Sequence, residues 1–387
     1  MKIDKGNILI IFIMLLGLSF MVFSISTVVT TRVREAMFRT AESQAFYIAE
    51  AGLNKAIWYL VVPVSLGGKG RDWRGSTTEA FSGGSYSVTV QDAAVFGEVF
   101  LTSTGEVGEL SRTITQLVDT ETFPAAFDYA MFSGNYDFTI EGKASISGDI
   151  FANGSISLTG TAQLINGEAY HSEGYAVSGN ATDGGTPDPV PAMPSMDTTY
   201  YDGQISIAEG IAPADQSYVS LNLNGGIVYI NGDADISGSG VITGPGTFVC
   251  TGKLMISGSP VSDGSAIVFI SKGDIEIAGN ASLPNSSFYA RENMVTTGNV
   301  NIQIGTMLAS GDFLIDGSVD FRGAVYCANV LTVSGNPIVS GSLVANRFEG
   351  IGGGISITYD PSMLPSAPPA GLEKGDPEPI KGTWEEL

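Results

Sequence analysis

Residues Asn7-Ile-Leu-Ile-Ile-Phe-Ile-Met-Leu-Leu-Gly-Leu-Ser-Phe-Met-Val-Phe23 open a stretch, Asn7 to Thr31, that contains no charge. A helix rising 1.5 Å per residue needs about 20 apolar residues to cross the roughly 30 Å hydrocarbon layer, so this run is long enough to span a membrane. A secretory signal peptide has an apolar core of about 7 to 15 residues and then a small-residue cleavage site. Here the apolar run is longer and passes straight into Thr31-Arg-Val-Arg-Glu-Ala-Met-Phe-Arg39. The reading is a retained single span.

The helical pattern continues beyond the span. Val33, Met37, Ala41, Ala45, Ile48, Ala49, Gly52, Leu53, Ala56, Ile57 and Leu60 recur at spacings of three and four, while Arg34, Glu42, Asn54 and Lys55 fall on the other face. That is one apolar stripe of an amphipathic helix. A single helix over 7–62 is expected, ended by Pro63, which has no amide donor and clashes with the preceding turn. A span followed by a separate short helix is the alternative.

These residues resemble a known family. A short basic leader ending in glycine (Lys2, Lys5, Gly6), the uncharged span, and Ala41-Glu-Ser-Gln-Ala-Phe-Tyr-Ile-Ala-Glu-Ala-Gly-Leu-Asn-Lys-Ala56 look like the amino end of type IV pilin-like proteins. The Ala49-Glu-Ala-Gly-Leu53 core is most similar to the PilX-like minor pilins. The resemblance implies a leader over 1–6, cut by prepilin peptidase between Gly6 and Asn7. It implies single-pass anchorage in a bacterial inner membrane with the carboxyl-terminal head outside the cytoplasm. Partners would be other pilins or minor pilins and an inner-membrane assembly platform. Ile11, Ala45, Ala49, Glu50, Ala51, Gly52 and Leu53 would form the helix face used in assembly, with Ile11 where major pilins carry a glutamate.

With 387 residues the chain is long enough for two or three domains, and its 50 glycines and 17 prolines argue against a mainly helical body. Forty acidic against 18 basic residues give a net charge of −22, which repels nucleic acid and anionic lipid. Two cysteines do not make a disulfide framework, and a single histidine, His171, leaves no His/Cys cluster to bind metal.

After the helix, Val64 to Ser82 reads as an irregular connection. Ser85–Gln91, Val99–Thr104 and Ser111–Val118 alternate apolar and polar residues, predicting a small antiparallel sheet over 83–119 on which the end of the helix can pack. From Ala130 the chain becomes repetitive. A turn glycine recurs at Gly142, Gly160 and Gly179, then after an insertion at Gly238, Gly258, Gly279, Gly298, Gly317 and Gly335. A period of about 20 residues built from short β-branched runs and Gly or Asn turns predicts a single-stranded parallel β-helix. It would occupy 130–360, with about ten rungs and an insertion at 180–223.

Stacking the units in chain order gives four-residue strands from Ala130-Met-Phe-Ser133 to Ser342-Leu-Val-Ala345, with Ile267-Val-Phe-Ile270 among them. Their fourth positions are mostly small or apolar, so the second and fourth are expected inside and the third outside. The third column includes Phe132, Phe151, Tyr170, Tyr229, Phe269, Tyr289 and Tyr326. An apolar column of that size needs cover. The cover is either the insertion, the strand sheet or the carboxyl tail, or else the column docks a partner; the inverse arrangement has it inside. Asp183–Pro194, with its clustered prolines, reads as an extended crossing. The tail 361–387 is proline-rich, and Trp384 suggests an anchor onto the body.

Asp312, Asp316 and Asp320, and the near pair Asp233 and Asp235, are the acid sets that resemble a hydrolase site, but neither recurs beside Lys, Arg or His in a neighbouring unit. The expectation is a non-catalytic chain with no cofactor or metal. It would be a minor pilin-like subunit of a pilus or type II secretion-like filament that projects a β-solenoid head for assembly or adhesion. The head loosely resembles bactofilin-like scaffolds, which gives a membrane-tethered polymer as the alternative, and a surface polysaccharide-active enzyme comes last.

Overall fold

The computed structural model describes residues 5–62, 64–95, 97–211 and 213–386. Two compact units emerge: Met1–Thr120 with Asp376–Leu387, and Glu121–Gly375. Pro63 and leader residues 1–4 lie outside the described residues.

The first unit is built on one unbroken helix, α1 (Lys5–Val61). Four antiparallel strands follow, β1 (Gly75–Phe81), β2 (Gly84–Asp92), β3 (Glu98–Val107) and β4 (Leu110–Asp119), paired in chain order. Residues 378–379 and 385–386 add short antiparallel pairings to β4. Period-two alternation puts Tyr86, Val88, Val90, Val99, Leu101, Ile114 and Val118 on one sheet face, where Ala45, Ile48, Ala49, Leu53, Ala56 and Leu60 of α1 bury against them. Two glycines allow the approach. A Cβ on Gly105 would stand 2.1 Å from the Ala45 carbonyl oxygen, and one on Gly52 would stand 2.4 Å from Ser103 Oγ.

The stretch expected to be irregular contains β1. Its residues alternate between exposed and half-buried, because an edge strand with solvent near both faces needs no apolar column. The β1–β2 hairpin turns at Ser82 and Gly83, both with positive φ, as two-residue hairpins prefer.

The second unit is a parallel β-solenoid with three faces. On the first face Phe248, Phe269 and Phe288 pair in register. On the second Leu254, Ile275, Met294, Phe313 and Leu331 do so. On the third Phe321, Val339, Ile357 and Ile146 do so. These columns fill one continuous apolar core. The marker glycines form a ladder of left-handed residues, from Gly238 at φ +91° through Gly279 at +86° to Gly335 at +79°.

Two expectations about this coil are corrected. The coils do not stack in chain order: Ala345 pairs with Ser133, Ser133 with Ala152, and Ala152 with His171, so the first three coils of the sequence stand beyond its last. The insertion therefore has to return the chain to the opposite end before Gln216 starts the long run of coils. It does so with a helix, α2 (Thr199–Ile211), and not as a wholly extended crossing. The register also slips by one in the third unit of that run, where Thr247 pairs with Val268, Val249 with Ile270 and Cys250 with Ser271. Phe269 is thus a core residue between Phe248 and Phe288, with ring centroids 6.2 and 5.0 Å away, and Ile270 takes the outer column.

Candidate functional site

From Phe12 onward the amino-terminal half of α1 is bare. From Phe12 to Val29 its large apolar side chains are exposed to between 50% (Leu16) and 73% (Phe23). Several hydroxyls in and just beyond this stretch bond back to the helix itself. Ser19, Thr27, Thr30 and Thr31 each donate to the carbonyl four residues back, at 2.8–2.9 Å. Hydroxyls tied back to the helix backbone suit a hydrocarbon environment, where an unpaired donor is costly. Arg32, Arg34, Glu35 and Arg39 follow at once, where a span would meet headgroups and water.

Gly6, Asn7 and Ile11 fall within the backbone of α1, and their side-chain surroundings lie outside what is described. Four residues of the face expected to serve assembly are turned inward instead. Ala45, Ala49, Gly52 and Leu53 are buried against β2 to β4 within their own unit, Ala51 is half-buried, and Glu50 is exposed. Trp384 lies edge-on to Phe46 at 5.9 Å within this unit and remains 44% exposed.

In the second unit the outer column is covered from within. Phe132, Phe151, Val249, Ile270, Tyr289, Leu308, Tyr326 and Val344 are buried under Ala126 and Phe127, under Tyr201, Ile205 and Ala208 of α2, and under Leu372. Tyr170 and Tyr229 are half-buried at its two ends. Tyr201 stacks on Tyr289 at 3.7 Å, Tyr229 donates to Gln204 Oε1 at 2.8 Å, and Tyr326 donates to the Pro194 carbonyl at 2.9 Å. The cover is itself clasped: Asp197 N donates to the Gly371 carbonyl at 2.7 Å, and Ser195 N to Glu373 Oε2 at 2.7 Å. Burial pushes the Tyr326 phenol up to about 12 and raises Tyr201 and Tyr289 as well. The expected cover by the insertion and the tail is therefore divided. Residues 193–208 and 364–372 do it, together with 123–129, while the chain's last residues pair with β4 instead.

The acid sets are dispersed into turns. Asp312 Oδ1 accepts from Asn329 Nδ2 at 2.6 Å and Asp316 Oδ1 from Ser334 Oγ at 2.9 Å, while Asp320 lies 3.8 Å from Arg322. Asp233 Oδ1 accepts from Lys253 N at 2.7 Å. His171 sits in the inner column, donating from Nδ1 to the Ser172 carbonyl at 2.8 Å, with Nε2 3.2 Å from Asp183. Cys250 and Cys327 are free and buried, and burial pushes both thiols up to about 12.

Sequence reasoning did not single out Asn293, Asn329 and Asn346. They continue the Asp312 turn as a ladder, in which Asp312 N donates to Asn293 Oδ1 at 2.9 Å. Their signal is an Asn or Asp at the start of the turn in successive units.

Neither a family model nor a curated protein matches the chain. Among solved structures it is similar to the competence-associated pilin ComZ from Thermus thermophilus, at 13% identity over 90% of this chain and 98% of that one, with a TM-score of 0.30. A likeness at that level carries no argument about this chain.

Proposed function

We propose that this chain is a membrane-anchored, non-catalytic, pilin-like subunit that holds a β-solenoid head outside the cytoplasm and packs its helix with those of other subunits in a pilus or pseudopilus. The observation that carries the reading is α1. One helix of 57 residues is apolar, uncharged and exposed from Phe12 to Val29 and buries a stripe of its last turns, from Ala45 to Leu60, against a sheet. Apolar transfer at about 25 cal/mol per Å² drives such an exposed stretch into lipid or among like helices, and a helix about 85 Å long carries its far end clear of the bilayer. The minor-pilin and PilX-like assignment, with prepilin peptidase and an assembly platform as partners, follows from the amino-terminal motif.

Amino-terminal sequencing of membrane-extracted protein tests it. The mature chain is expected to begin at Asn7, and Gly6→Val to keep its leader and remain in the membrane. A wild-type chain that retains Met1 to Gly6 would overturn the filament reading and leave only an anchor.

A second reading, a tethered scaffold polymerising end to end, is favoured by one observation. Leu164 and Val177 near one end of the coil, and Tyr218 and Val228 near the other, belong to the core but are only partly buried. Leader cleavage separates the two readings.

A further inference from the structure

A groove of about 510 Å³ runs along the second face of the solenoid, across four consecutive coils. Its floor is Val295, Leu314 and Thr332, in register from coil to coil and each half-buried. The asparagine-rich turn ladder forms one wall, and Tyr136, Arg347 and Glu349 close one end.

The chemistry of this groove is selective. Its floor strands already pair with one another, and the groove crosses them, so an extended peptide finds no free backbone edge to join. It offers no uncommitted cation. Arg347 is ion-paired with Glu349 and lies 5.4 Å from the centre of the Tyr136 ring. Asp312 accepts from Asn329 Nδ2 and Val330 N, and a chain of net charge −22 repels anionic polymers.

What remains is an apolar strip, a wall of planar amides and a ring that is 50% exposed. Each amide carries two N–H donors and a carbonyl, and the ladder bond from Asn329 uses only one of its donors. Pyranose rings have the matching form, with apolar C–H faces and hydroxyls around their edges. We propose that this groove binds a neutral, linear hexose oligosaccharide, with sugar faces on Tyr136 and the Val295–Leu314 floor and hydroxyls bonded to Asn293 and Asn329. This inference is independent of the pilin-like reading of the helix.

The test is calorimetric titration of the full chain, held in a detergent without sugar headgroups, with cellohexaose, maltohexaose, laminarihexaose and mannohexaose, and with hexagalacturonate as the anionic probe. At least one neutral hexaose should bind, and Tyr136→Ala and Leu314→Glu should each weaken it by about tenfold or more. Both positions are solvent-facing, so circular dichroism should stay unchanged. Tyr175→Ala, a ring 48% exposed outside the groove, should leave affinity intact. Absence of binding by all four neutral hexaoses at about 10 mM would overturn the proposal. So would affinity that survives both groove variants, or tighter binding of hexagalacturonate.

Discussion

Replacing Gly279 and Gly238 by alanine, one at a time, tests which segment lies beneath each turn of the long run of coils. Both glycines have positive φ, +86° and +91°, so each alanine pays about 1–2 kcal/mol for a left-handed backbone. Their surroundings differ. A Cβ on Gly279 would stand 2.3 Å from the Gly258 carbonyl oxygen in the coil below, whereas one on Gly238 meets only Val219 Cγ1, at 3.6 Å. The clash at Gly279 has to be relieved by separating two coils at a point where Asn280 N donates to Gly258 O and Asn299 N to Gly279 O, both at 2.7 Å. Weakening those two bonds costs about 1 kcal/mol each. Gly279→Ala should therefore cost about 3–4 kcal/mol and Gly238→Ala about 1–2. For a unit of this size that is a fall in Tm of about 10 °C against about 5 °C in calorimetry of the full chain. All three tryptophans, Trp58, Trp73 and Trp384, lie in the other unit, so their fluorescence serves as an internal control. Gly238 escapes the clash because the coil below it, Gln216–Asn222, presents Val219 and no turn glycine at that position. Equal losses at the two positions would refute the placement of Gln216–Asn222 beneath Ala234–Thr243.

Cys250 and Cys327 lie in one inner column, separated by Ser271, Ala290 and Ala309, so four coils at about 4.8 Å put them about 19 Å apart, well beyond the roughly 7 Å that a disulfide allows between Cα atoms. Thiol titration should find two groups that react only after denaturation, and a Cys250–Cys327 disulfide in the mass spectrum would contradict the register. Tyr326 is 4% exposed, and its phenol is raised to about 12 by burial against about 10 when unfolded. The folded state keeps that proton longer, so the stability Tyr326 contributes is whole below pH 10 and is lost as pH rises from about 10 to 12, an effect on the order of 2–3 kcal/mol. Alkaline titration followed at 295 nm and by circular dichroism should show late tyrosine ionisation coinciding with unfolding. Complete, reversible ionisation near pH 10 in a folded protein would contradict the cover over the column.

What was legible in the sequence was whatever a local period or a forced backbone conformation writes into it. The helix, the sheet-facing residues of β2 to β4 and the glycine ladder all have that property. An edge strand does not, which is why Gly75–Phe81 read as a loop. Phe269 was misplaced because Ile267-Val-Phe-Ile270 is apolar throughout and shows no alternation from which to read a face. The glycines nonetheless held the answer. Cys250, Ala290, Ala309 and Cys327 each stand eight residues before their marker glycine, and eight before Gly279 is Ser271, the residue that occupies the column. Stacking order is different in kind. Each coil presents similar parallel edges, so Ala345 is as suitable a neighbour for Ser133 as any residue of the following coil would be, and no residue-level pattern distinguishes them. The decision lies with the insertion, whose length and helix allow it to return along the outer column, and with the aromatic residues of that column. Tyr289, Tyr326 and Tyr229 present an apolar strip edged with hydroxyls that α2 and Pro194 complete. The column that suggested a docking face is thus the seat of the segment that makes the permuted order possible. The groove on the second face escaped notice because its floor alternates with the core in the ordinary way, and its polar wall reads in one dimension only as turn residues.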